Sequence, residues 1–169
     1  MTDPFSTLGV PARFTFAPGD LAQRHRDLSR ALHPDRHVHS PPGERRMALE
    51  RAVSVNDAFR ALRDPLGRAQ ALLTLHGLSV QEGDRAPAAL LMEVMELRED
   101  LDAARAKPAR IAALRETVAA RVAAEESVVA RVFDREGAPD AGALAQARDA
   151  VVKLRYFKRF QEEADAMEE

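Results

Sequence analysis

The sequence predicts an all-α protein in two parts: an N-terminal helical hairpin with a His33-Pro34-Asp35 loop, then a C-terminal antiparallel three-helix bundle. Three observations predict it. Apolar residues recur at helical spacing, and no stretch alternates as a strand would. Prolines and glycines fall at the ends of the periodic segments, where they start and stop helices. Residues 77–87 hold two glycines and a proline without periodicity, which divides the chain into residues 1–76, a short linker 77–86 and residues 87–169.

In order, residues 3–8 read as a short helical turn, with Pro4 at its first position and Gly9 as its stop. Phe14 and Phe16 lie in an extended link. Pro18 opens a long helix over residues 18–32, with Leu21, Leu28 and Leu32 on one stripe and His25 filling the gap. Pro34 has no amide hydrogen and disfavours helix in the residue before it, so this helix stops near Leu32 or His33. A loop rich in proline follows, then a helix over 44–62 bearing Ala48, Ala52, Val55, Phe59 and Leu62. Asp64-Pro65 restarts helix as N-cap and first-turn proline. Leu66, Ala69, Leu72, Leu73 and His76 follow, up to Gly77. The second half reads as helices over 87–106, 108–136 and 141–167, the second carrying Ile111, Leu114, Val118, Val122, Val129, Val132 and Phe133 on one side. Alanine-rich stretches support helix by propensity.

With 169 residues of which 46% are hydrophobic, the chain can build a real core. Net charge is −2, but residues 1–76 hold 11 Lys/Arg against 8 Asp/Glu and residues 77–169 hold 14 against 19. A mildly basic front joined to an acidic back fits two different partners. The absence of cysteine excludes disulfides, thiolate zinc sites and thiol catalysis. Nothing approaches about 18 consecutive apolar residues and no leader-like pattern opens the chain, so a cytoplasmic protein is expected.

The loop carries chemistry-bearing side chains. His33, Asp35, His37 and His39 are metal-ligand types, and in an extended loop alternate residues point one way. No second ligand cluster stands elsewhere in the sequence. His33 and Asp35 are an acid–base pair in type, but there is no Gly-x-Ser-x-Gly nucleophile motif and no Gly-x-x-x-x-Gly-Lys phosphate loop. Arg24, Arg26, Arg30 and Arg36 form a modest basic patch without a base-stacking platform. A binding module steering a negatively charged partner toward Asp35 fits these residues, as does a solvated helix face.

The segment 90–102 carries two apolar faces. At about 100° per residue, Leu90, Val94, Leu97 and Leu101 lie within roughly 60° of one another, an ordinary core stripe. Leu91, Met92 and Met95 fall roughly 100–200° away, with Glu96 and Glu99 beside them. Two readings fit: a helix sandwiched between neighbours, or a partner surface, for which adaptable methionines are suited. Tyr156, Phe157 and Phe160 pose the same choice, closing the core's end or extending the Leu91/Met92/Met95 face.

Helices flanking Leu32-His33-Pro34-Asp35-Arg36, the second ending in Val55-Asn56-Asp57-Ala58-Phe59-Arg60-Ala61-Leu62, resemble the J-domain by which co-chaperones activate DnaK-type ATPases. Asp64-Pro65-Leu66-Gly67-Arg68-Ala69, Leu72-Leu73-Thr74-Leu75-His76-Gly77, the run from Leu91 to Glu99 and Val152-Lys153-Leu154-Arg155-Tyr156 resemble the HscB-type iron–sulfur co-chaperones over essentially the whole chain. The resemblance implies a J-domain followed by a scaffold-binding three-helix bundle, no catalysis and no cofactor. It implies two partners, the DnaK-type chaperone HscA and the cluster scaffold IscU, with no nucleic acid and no membrane. By position His33, Pro34 and Asp35 are the ATPase-stimulating triplet, with the four arginines around them. Leu91, Met92, Met95, Glu96, Glu99 and Tyr156 match scaffold-contact positions. His37 and His39 are expected as solvent-exposed loop residues. His25 departs from a usual aromatic, Arg36 from a common lysine, and Met95 and Tyr156 from frequent Leu and Phe. Some eukaryotic relatives carry a cysteine-rich N-terminal zinc segment; its absence here suggests the bacterial form. A general J-domain protein with another client is the alternative, and a metal-dependent hydrolase a distant third.

Overall fold

The computed structural model describes residues 3–167 except 82, 83, 85 and 106. Part of the expected 77–86 linker and the last residue of the expected 87–106 helix therefore lie outside the described residues. The described residues are helical with no strand, and none of their helices is long and apolar enough to cross a membrane. The chain forms two compact units, Met1–Gly77 and Leu78–Glu169.

In the first unit, α1 is Pro4–Leu8. Asp3 caps it by accepting from the Phe5 and Ser6 amides at 2.8 and 3.0 Å. Helix α2, Asp20–Ala31, begins two residues after the expected Pro18. Ala17 to Asp20 close a turn first, and Gly19 takes φ 90°, a left-handed conformation open to glycine, at the N-cap. Helix α3, Pro42–Arg63, starts two residues before the expected Glu44, because a proline suits the first helical position. Ala48, Val55, Ala58 and Leu62 bury one face of α3 against α1 and α2. Asp64 then turns extended and caps α4, Pro65–Leu75, by accepting from the Gly67 amide at 2.9 Å. A Cβ on Gly67 would stand 2.5 Å from the Ala61 carbonyl oxygen, so the α3–α4 corner depends on glycine there.

Two side chains lock this unit together. The Arg68 guanidinium donates to the Leu62 and Phe14 carbonyls at 2.8 and 2.7 Å and lies over the Phe14 and Phe16 rings. It thereby ties the extended link to the α3–α4 corner. His25 stacks on Phe59 with centroids 4.2 Å apart and rings 14° from parallel, and its Nε2 is 2.8 Å from Asn56 Oδ1. The ring thus keeps the flat packing of an aromatic while adding a polar link from α2 to α3.

The second unit holds α5 (Ala88–Ala103), α6 (Pro108–Phe133) and α7 (Ala141–Ala166). Its helices end at 103, 133 and 166, respectively three, three and one residues short of the expected 106, 136 and 167, α5 and α6 giving way to turns before Pro108 and Pro139. Cross-helix ion pairs fix the directions. Glu93–Arg121 and Asp100–Arg110, each 3.0 Å, run α5 and α6 antiparallel. Lys153–Glu125 at 2.9 Å and Arg115–Asp165 do the same for α6 and α7. Helices α5 and α7 are therefore parallel to each other. Leu90, Val94, Leu101, Val118, Val129, Val151, Leu154, Phe157 and Phe160 form the buried centre.

Candidate functional site

Each unit presents one surface. The first is the tip between α2 and α3. The residue before a proline is pushed to extended backbone, and His33 sits at φ −60°, ψ 135°. Pro34 then starts a one-turn 3-10 helix, Pro34–His37, which packs against α3. The His33 ring caps this turn, Nδ1 accepting from the Asp35 amide at 3.3 Å and lying 3.5 Å from Asp35 Oδ2. His33, Pro34, Asp35 and Arg36 are all exposed.

The turn corrects the extended loop on which the metal reading relied. His33, Asp35, His37 and His39 do not alternate to one side, and no three His, Asp or Glu side chains among the described residues converge as a metal-binding group. His37 is not a free loop residue either. It is half-buried, with Nε2 3.2 Å from the Ala31 carbonyl at the C-terminal end of α2, while His39 is exposed. That contact pins the loop to the helix it leaves, and no local sequence pattern signals it.

The arginines divide. Arg26 and Arg30 share the face of α2 opposite the leucine stripe, where Arg26 donates to Gln23 at 2.6 Å and Arg30 stands 3.7 Å from Asp27. Arg24 lies at the stripe's flank, and its Nε donates to the Leu8 carbonyl at 2.7 Å, holding α1 to α2. Its role is thus partly structural, and the sequence stripe alone missed this.

The second surface is on α5. Leu91, Met92 and Met95 are 41, 63 and 60% exposed, so the helix is not sandwiched and its second apolar face is open. Glu96 and Glu99 are exposed beside it. Arg98 donates two hydrogen bonds to Glu163 of α7, at 2.8 and 2.7 Å. Seven residues back along these two parallel helices stand Leu91 and Tyr156, so Tyr156, half-buried, is at the level of Leu91 on the adjoining helix. Phe157 and Phe160 are buried and close the core. The three aromatics thus split, two to the core and one to the rim of the open face. The Arg98–Glu163 pair that sets this register spans 65 residues of sequence, beyond the reach of helical periodicity.

A His-Pro-Asp tip on a packed helical hairpin, joined to a helical unit with an open Leu/Met face, defines a J-domain co-chaperone. The description "HSCB C-terminal oligomerisation domain" matches residues 86–165. The chaperone HscB from Vibrio cholerae is 28% identical, with 99% of this chain and 98% of that one covered and a TM-score of 0.80. The human co-chaperone protein HscB is 27% identical, with 98% and 82% covered and a TM-score of 0.86. Residues 86–165 thus match the HscB family, and the chain over nearly its whole length is similar to HscB-type co-chaperones.

Proposed function

We propose that the chain stimulates the ATPase of the DnaK-type chaperone HscA and delivers the iron–sulfur scaffold IscU to it, itself doing no covalent chemistry. A cytoplasmic site of action is part of this reading. The observation that carries it is the open second face of α5, with Met92 and Met95 63 and 60% exposed in a chain that also presents His33, Pro34 and Asp35. A core alone needs one apolar face on this helix; a second one rimmed by Glu96 and Glu99 suits a partner bearing apolar and basic groups.

In this reading Asp35 engages cationic or donor groups on the chaperone. His33 and Pro34 fix the shape of the turn that presents it, and Arg26, Arg30 and Arg36 set approach and orientation, with Arg24 supporting α2 from the side. Leu91, Met92, Met95, Glu96, Glu99 and Tyr156 hold the scaffold. The test is the steady-state ATPase rate of HscA with this chain, with and without IscU. Stimulation by the chain and a further, more than additive rise with IscU are expected. Stimulation without that synergy refutes the scaffold reading in favour of another client; no stimulation refutes both.

A further inference from the structure

Every described methionine lies at the surface. Met47, Met92, Met95 and Met167 are 62, 63, 60 and 36% exposed, while the fifth, Met1, is outside the described residues. The chain has no cysteine, so thioethers are its only sulfur. Methionine ordinarily serves as a flexible filler of cores. Here the described core is built of Phe, Leu, Ile, Val and Ala alone. Two of the four surface sulfurs stand three residues apart on the open face of α5.

We propose that Met92 and Met95 are an oxidation site through which hydroperoxides close the α5 face; the proposal rests on reading that face as the scaffold-docking surface. The thioether sulfur attacks one oxygen of the peroxide. An S–O bond forms as the O–O bond breaks, the sulfur gives up two electrons, the proton of the attacked oxygen passes to the departing one, and the remainder leaves as water from hydrogen peroxide or as an alcohol from an organic hydroperoxide. Each event turns an apolar, adaptable side chain into one carrying a strong acceptor. The neighbouring Glu96 and Glu99 side chains bring oxygen acceptors, and the Leu91 side chain brings no polar atom, so this face supplies the new oxygen with no amide or ammonium donor of its own. Burying it against an apolar partner carries the penalty of an unpaired polar group. The fold is indifferent, because no described sulfur is in its core. Sulfoxide reductases reverse the reaction, which makes the change a switch.

The test treats the full chain with hydrogen peroxide, locates sulfoxides by peptide mass mapping, and measures IscU affinity by calorimetry alongside thermal melts. Sulfoxides at Met92 and Met95, an affinity loss of about tenfold or more, an unchanged melt and recovery after reductase treatment are expected. M92L/M95L, compared with its own untreated affinity, is expected to be unmoved by the same treatment although Met47 and Met167 oxidise, because leucine has no sulfur to take up oxygen. Unchanged affinity with both sulfoxides present overturns the proposal, as does a treated M92L/M95L that loses as much as the native chain. Failure of the untreated chain to bind IscU is a different result: it overturns the docking reading itself.

Discussion

Replacing Asp35 with asparagine removes one charge and keeps the shape of the tip. The Asp35 side chain is 86% exposed, and its Oδ2 lies 3.5 Å from His33 Nδ1. An exposed pair of that kind contributes little, so folding stability should change by no more than about 0.5 kcal/mol. In a unit as small as Met1–Gly77 that is a melting shift of about 2–4 °C. The turn itself survives, because the His33 ring accepts from the Asp35 backbone amide, not from its carboxylate. Against a partner the arithmetic reverses. Removing one member of a desolvated charged pair costs about 2–5 kcal/mol, a loss from about 30-fold to several thousand-fold. The assay is HscA turnover against the concentration of Asp35→Asn. Stimulation should fall close to the basal rate where the native chain saturates, with IscU affinity unchanged. Stimulation within about threefold of native refutes the contact role of Asp35. A melting drop beyond about 5 °C refutes the premise that Asp35 is structurally silent.

Met92→Ala with Met95→Ala should do the converse. About three-fifths of each side chain remains to be buried, worth about 1–2 kcal/mol apiece, so calorimetry should register IscU binding weaker by roughly 30- to 700-fold while HscA stimulation by the chain alone persists. Gly67→Ala sets an overpacking cost of about 1–3 kcal/mol against a helix-propensity gain of about 1 kcal/mol, for a net loss in urea unfolding, whereas Gly43→Ala meets no atom within 4 Å and should be neutral or stabilising. Equal effects would deny the close approach at Ala61. Burial disfavours the charged Asp3 carboxylate, but hydrogen bonds from the Ser6 hydroxyl, the Ser6 amide and the Phe5 amide outweigh it and hold the carboxyl below its ordinary value. Its stabilisation is present above the unfolded-state value of about 3.9 and is lost as pH falls through the lower folded-state value. Asp3→Asn should therefore flatten the acid limb of the melting profile, and Asp3→Ala should cost about 0.5–2 kcal/mol at neutral pH; an unaltered acid limb in the asparagine variant would count against the cap.

What the sequence disclosed follows the range of each physical signal. The proline and glycine boundaries are local, so Pro4, Asp64-Pro65 and Gly9 mark their helix ends directly. Helical periodicity has the next range, and it separated Leu90, Val94 and Leu101 from Leu91, Met92 and Met95 before any neighbour was known. It could not say whether the second set was covered, since that depends on where α6 and α7 lie. Contacts made by long side chains between elements were invisible. Arg68 on the Phe14 carbonyl, Arg24 on the Leu8 carbonyl, His37 on the Ala31 carbonyl and Arg98 on Glu163 follow no period. The tip was half legible. Pro34 dictated the end of α2, but the choice of a 3-10 turn over an extended loop depended on packing against α3.

The two proposed surfaces share no residue and belong to different units, so joining them in one chain is itself a functional feature. A scaffold bound on α5 is carried to the chaperone whenever the tip engages, and its encounter is then governed by an effective concentration set by the chain and not by bulk diffusion. Asp35→Asn keeps the α5 face, and the Met92/Met95 double variant keeps the tip. Mixing them supplies both surfaces in solution but on separate molecules. If linkage is the mechanism, the mixture should show simple HscA stimulation without the scaffold-dependent synergy, at concentrations where the native chain shows both. Restoration of synergy by the mixture would show that the surfaces act independently or reassociate between chains, and linkage would then not be what the two-unit architecture provides.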